Sequence, residues 1–179
     1  MFQISIAPYD LLCLPNGLPP LYEKYAKRAQ LSEEIGLDDP HGPLAFLAVR
    51  RGAGWPFLTL ALRYHATGLS VLPGALLIPE TATLFVGAGL RIFAYDLNAP
   101  ARLWDEELSS ALWSWARHGD YVLMRAEGEL AVWDLQGRKQ WARMVEPPWD
   151  YWVEDGVLHL DEMGEEYTFA LSTGPRGEE

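Results

Sequence analysis

Antiparallel β-sheets built from about two and a half repeats, with an N-terminal β-hairpin and one short helix, form the mainly-β fold class predicted by this 179-residue sequence. Three observations predict it. The first is an internal echo: Gly89-Leu-Arg-Ile-Phe-Ala-Tyr-Asp96-Leu97 with Trp104, then Gly128-Glu-Leu-Ala-Val-Trp-Asp134-Leu135 with Gly137 and Trp141, then Gly164-Glu-Glu-Tyr-Thr-Phe-Ala-Leu171 with Thr173-Gly174. Asp96 to Asp134 is a step of 38 and Trp104 to Trp141 a step of 37, and such a period marks stacked supersecondary units. The second is a succession of short apolar runs broken by Gly, Pro, Asp and Asn. The third is the absence of helical periodicity from Leu44 onward.

Element by element, Phe2-Gln-Ile-Ser-Ile6 alternates and reads as a strand, and Leu14 to Pro20 is turn chemistry. Pro20 suits the first turn of a helix over about Leu21 to Leu31, with Leu21, Tyr25 and Ala29 on one face, lying across a sheet and ending near Gly36. An irregular stretch through Asp38 to Pro43 follows. Leu44–Arg50 and Pro56–Tyr64, separated by Gly52-Ala-Gly-Trp55, predict a hairpin. Further strands are expected at 76–78, 84–86, 91–96, 101–104, 111–116, 121–125, 130–134, 140–145, 151–154, 157–160 and 167–171. Residues 1–179 are expected to form a single domain: 1–43 strand, helix and irregular segment, 44–75 hairpin, 76–174 repeats, and 175–179 a disordered tail. Seven of the eight tryptophans fall from Trp104 to Trp152, where residues i and i+2 of a strand share a face. Trp113 with Trp115, and Trp149 with Tyr151, are thus expected to form aromatic slabs between packed sheets.

On Val132-Trp-Asp134-Leu-Gln-Gly137-Arg-Lys-Gln-Trp141, on Ala94-Tyr-Asp96 with Trp104, and on Thr173-Gly174, the region 85–174 resembles the repeats of quinoprotein-type (PQQ-repeat, WD-like) β-propellers. The resemblance implies that the Asp and the turn set each hairpin and that the Trp packs between neighbouring sheets; it implies no bound quinone. Too few repeats are present to close a ring of about four to eight blades, so an open propeller-like stack or sandwich is expected, with the N-terminal hairpin packed on the repeats. The stretch from Val145 to Gly164 also resembles small uncharacterised bacterial proteins, a likeness that implies no activity.

The formal charge of −11 is unevenly spread. Residues 146–179 hold ten acidic residues against Arg176, a net −9, whereas residues 1–145 hold fifteen against thirteen, a net −2. An acidic end without a basic stripe disfavours nucleic acid, and no apolar run is long enough to span a bilayer. Cys13, the one cysteine, makes no internal disulfide, and with no secretory signal the expected location is cytoplasmic.

Catalytic patterns are weak. His41, His65, His118 and His159 lack metal spacing, and His118 is expected to face solvent in a turn while His159 lies opposite Leu158 and Leu160. Ser70 lacks the second glycine of a nucleophile elbow. Gly52-Ala-Gly54 and Gly87-Ala-Gly89 read as hairpin turns, and Asp105-Glu-Glu107, Glu154-Asp155 and Asp161-Glu162 as solvated acids of hairpin loops. No catalytic residue, cofactor or metal ligand is expected. The best candidate surface is Glu146, Trp149, Asp150, Tyr151, Trp152, Glu154 and Asp155, stiffened by Pro147-Pro148, which joins aromatic anchors to acidic steering. The expected function is a non-catalytic module for a protein partner, a basic one in the immunity-like version, with homo-oligomerisation open. The alternative is a small carbohydrate-binding protein or hydrolase using clustered Trp and carboxylates.

Overall fold

The computed structural model describes residues 1–36, 41–64 and 73–175. Strands β1 (Phe2–Ile6), β2 (Tyr9–Leu14), β3 (Leu31–Ile35), β4 (Leu44–Arg51) and β5 (Leu58–Arg63) form a first sheet in the order β1-β2-β4-β5-β3. Two four-stranded meanders follow: β6 (Gly74–Ile78), β7 (Thr83–Ala88), β8 (Arg91–Asp96) and β9 (Ala101–Glu107), then β10 (Leu112–His118), β11 (Tyr121–Ala126), β12 (Glu129–Asp134) and β13 (Lys139–Met144). A fourth sheet has three strands, β14 (Trp149–Glu154), β15 (Val157–Glu162) and β16 (Glu165–Ala170). The fold is mostly β, and the described residues form no closed barrel.

The sheets stack face to face because the middle strands of the first three are apolar on both sides and β15 of the fourth is apolar on one. Leu84 and Val86 point into a core shared with Leu47 and Leu60 of the first sheet. Phe85, between them, points the other way, against Val122, Met124 and Trp133 of the third. Leu123, Leu130 and Val132 in turn meet Leu158 and Leu160 of the fourth. The 38-residue echo is the meander itself: Asp96 and Asp134 end β8 and β12, and their Oδ1 atoms accept the Asn98 and Gln136 N–H groups at 2.7 and 3.0 Å.

The outer face of the first sheet is capped. Leu12, Phe46 and Ala48 lie under helix α1 (Tyr22–Arg28), whose Tyr22 and Tyr25 rings sit 5.8 and 6.1 Å from Phe46. The helix lies across a sheet as expected, but it is shorter and turned: Tyr22 and Tyr25 make the contact, while Leu21 is exposed. Residues 31–35, where the expected helix was to end before Gly36, form β3 instead, running parallel to β5, where Ser32 Oγ accepts from Thr59 at 2.9 Å. Strand β2 was not expected either.

Three other expectations are corrected. Gly87 lies inside β7, packed on Leu112, and only Gly89 turns. A bulge between Leu112 and Ser114 sends Trp113 to the fourth-sheet side and Trp115 to the second-sheet side, so the pair shares no face. His118 is a half-buried strand residue with its ring edge-on to Tyr151 at 5.9 Å. His65, Ser70, residues 37–40 of the irregular stretch and 176–179 of the tail lie outside the described residues. No helix among the described residues is long and apolar enough to cross a membrane.

Candidate interaction face

Strand β14 splits the candidate segment in two. Its partner β15 buries Leu158 and Leu160 completely against the third sheet, and the register fixes which β14 residues share that side. Trp149 and Tyr151 therefore point inward. Trp149 is only 5% exposed, stacks on Trp113 at 6.0 Å, and donates its indole N–H to the Glu127 carbonyl at 2.8 Å. The guanidinium of Arg125 lies 5.0, 4.8 and 5.9 Å from the rings of Trp113, Trp149 and Tyr151, donates to the Trp149 carbonyl at 3.0 Å, and pairs with Asp150 at 3.2 Å. Burial pushes the Tyr151 phenol above its ordinary value, with Arg125 opposing. Trp149 is thus a seam residue, not an anchor displayed to a partner.

The outward half is different. Asp150, Trp152, Glu154, Asp155 and Glu146 are all exposed. Across the three strands, Asp150 faces Asp161, which faces Glu166; Trp152 faces His159, which faces Thr168. Trp152 is 47% exposed and lies parallel to His159, with centroids 4.8 Å apart and an interplanar angle of 4°. His159 thus sits opposite Leu158 and Leu160, as its alternation predicts. The carboxylate row is unfavourable, since like charges directly across a sheet repel; Arg125 relieves Asp150, and the Gly164 N–H donates to Asp161 at 2.9 Å. Sequence reasoning missed His159, Asp161 and Glu166 as members of this face. Their signal was the same alternation, carried across the two-residue turns of the hairpins.

Other acids are paired within a sheet or between sheets. Asp105 accepts from Arg91 and Arg102, Glu106 pairs with Lys139 of the third sheet, and Glu162 with Arg143 at 2.8 Å. They lie on strands rather than in loops. Cys13 is half-buried, its thiol pushed up to about 11 by burial. No group of three or more His, Cys, Asp or Glu with metal-holding geometry occurs among the described residues.

No family model matches the chain, and no curated protein matches it. Solved structures are similar to it at low identity. The computationally designed Ika4 protein aligns at 15% identity over 63% of this chain and 74% of its own, with a TM-score of 0.44. BamB from Moraxella catarrhalis, a PQQ-like β-propeller, aligns at 15% over 93% of this chain, TM-score 0.45. Kluyveromyces lactis Hsv2 aligns at 12% over 57% of this chain, TM-score 0.33. The chain spans 51% of the BamB chain and 33% of the Hsv2 chain.

Proposed function

We propose that this chain is a non-catalytic protein-interaction module, and that its binding face is the outer surface of the fourth sheet, with Trp152 at the centre and Asp150, Glu154, Asp155, Asp161 and Glu166 around it. One observation carries the reading. The second and third sheets are covered on both sides and the first is capped by α1, whereas among the described residues nothing packs on this surface. Trp152 supplies a rigid apolar contact, and the carboxylates steer a basic partner toward it. A cytoplasmic protein of immunity type, masking a basic toxin, is the concrete version proposed. The carbohydrate-site alternative needs several exposed Trp rings in a groove beside paired acids. Here Trp133 and Trp149 are buried, Trp104, Trp113, Trp115 and Trp141 are half-buried in seams, Trp55 is exposed but packs on Tyr25 and Arg28 beside the first sheet, and Trp152 stands on an open sheet surface already stacked on His159.

The test is affinity capture from native lysate with a titration of each recovered protein. A specific partner should bind with a 1:1 end point, lose at least about tenfold in affinity with Trp152→Ala, and lose on-rate with Asp150→Lys/Glu154→Lys/Asp155→Lys. A partner indifferent to both variants sinks this face.

A further inference from the structure

The fourth sheet is one strand short of its two neighbours. In those, the fourth strand starts five residues after the aspartate: Ala101 after Asp96 and Lys139 after Asp134. Five residues after Ala170 comes Pro175, next to the end of the described chain. A turn follows β16 as one follows β12, one residue longer. Thr173 and Gly174 donate to the Ala170 carbonyl at 3.2 and 2.9 Å, where Gly137 donates to that of Asp134 at 3.0 Å, and both glycines have positive φ. Strand β16 pairs with β15 alone among the described residues. The consequence shows in burial: Phe93 and Tyr95 of β8, and Ala131 and Trp133 of β12, are at most 1% exposed, whereas Tyr167 and Phe169 of β16 stay half-buried.

The free edge has a defined pattern. A two-residue turn, Met163-Gly164 with φ of 57° and 87°, joins β15 to β16, making Glu162 and Glu165 a hydrogen-bonded pair. The N–H groups of Glu166, Thr168 and Ala170 therefore point away from β15, toward the side where β8 and β12 meet β9 and β13. We propose that this edge takes an extended segment of a protein partner as the missing fourth strand. Its apolar side chains, at alternate positions, would cover Tyr167, Phe169 and Trp141, and its basic side chains would lie beside Glu166. The proposal rests on the reading of the fourth sheet as the binding end of an interaction module, and names how the partner binds. A second copy pairing edge to edge would bring two acidic strands, each carrying Glu165 and Glu166, side by side.

The experiment uses an N-acetylated heptapeptide of alternating Lys and Val, fluorescently labelled, against the full chain. A second peptide carries N-methyl groups on the amides of one edge, and a third carries them on the other. Expected are saturable binding of the parent, loss of at least about tenfold for one methylated peptide but not both, and hydrogen-exchange protection at Glu166, Thr168 and Ala170. Thr168→Pro, which removes an N–H that β15 does not use, should weaken binding comparably with an unchanged circular dichroism spectrum. Trp152→Ala should change it less than about twofold. Absence of binding, equal binding of all three peptides, or a Thr168→Pro variant that binds normally overturns the added strand. If the natural partner still depends on Trp152, the interaction reading survives that result; if it depends on neither Trp152 nor Thr168, both fall. Dimerisation through β16 edges, seen by light scattering, would also overturn the proposal.

Discussion

Gly174 and Trp141 meet more closely than any side chain at Gly174 would permit. A Cβ there would lie 2.5 Å from Trp141 Cγ, on a backbone with φ of +66°. Gly156 has φ of +77° but nothing within 4 Å of such a Cβ. Gly156→Ala should therefore cost only the left-handed strain of roughly 1 kcal/mol, and Gly174→Ala that plus displacement of an indole, about 2–4 kcal/mol together. Urea unfolding of the two variants checks this, and equal losses would refute the docking argument. His118 makes the pH prediction. Burial lowers its pKa from the ordinary 6.5, so the unfolded chain takes up this proton at a higher pH than the folded one. Its contribution is complete above pH 6.5 and is lost as pH falls from there through the folded value. The urea midpoint should thus fall between pH 7 and 5 less steeply in His118→Gln than in the parent. Residue identity alone did not reveal these roles. Trp149 and Trp152 are the same chemistry three positions apart, and only the register with Leu158 and Leu160 decides that one is buried and the other displayed.

Strands were legible where pairing is local. The meanders β6–β9 and β10–β13 were readable because short hairpins join sequence neighbours and the apolar runs repeat. Strand β3 was not, because Leu31-Ser-Glu-Glu-Ile35 is mostly polar and its partner β5 lies across an intervening strand and loop. The bulge in β10 was illegible for a related reason: an extra residue leaves composition unchanged and reverses the faces beyond it. For Trp104 and Trp141, unlike Trp113 and Trp115, the expected packing between neighbouring sheets is what the structure has, and at the level of elements it defines the seams. Trp104 of β9 donates to the Gly137 carbonyl at 2.5 Å, and Trp141 of β13 to the Leu171 carbonyl at 2.7 Å, so each outer strand is tied to the next sheet. Both acceptor residues are buried. Trp104→Phe and Trp141→Phe keep an aromatic ring but orphan those carbonyls, and each should cost about 1–3 kcal/mol in chemical denaturation. A loss near zero for both would mean that the indoles act by packing alone.

At the scale of the molecule, four sheets in a row make a nearly one-dimensional object, in which each sheet is stabilised by its neighbours. The two ends are unequal. Among the described residues the first sheet is covered by α1 and has five strands, and the fourth has three and one uncovered face. The acids sharpen the asymmetry, since residues 146–179 carry a net −9 and repel one another. Unfolding should therefore begin at the fourth sheet. Because one apolar seam follows another from Leu47 to Leu160, each sheet between them packed on both sides, the rest should follow as one unit. Leu160→Ala deletes a fully buried side chain in the last seam and should cost about 2–5 kcal/mol there, whereas Leu60→Ala makes an equal deletion in the first. Hydrogen exchange separates the outcomes. Leu160→Ala should speed exchange of the β14–β16 amides well before those of β4 and β5 change, because opening of the fourth sheet leaves the first seam intact. Leu60→Ala should speed exchange in every sheet together, since losing the first seam lowers global stability. Uniform acceleration in both variants would show that the fourth sheet has no opening of its own, and that a partner arriving there meets a surface as rigid as the rest.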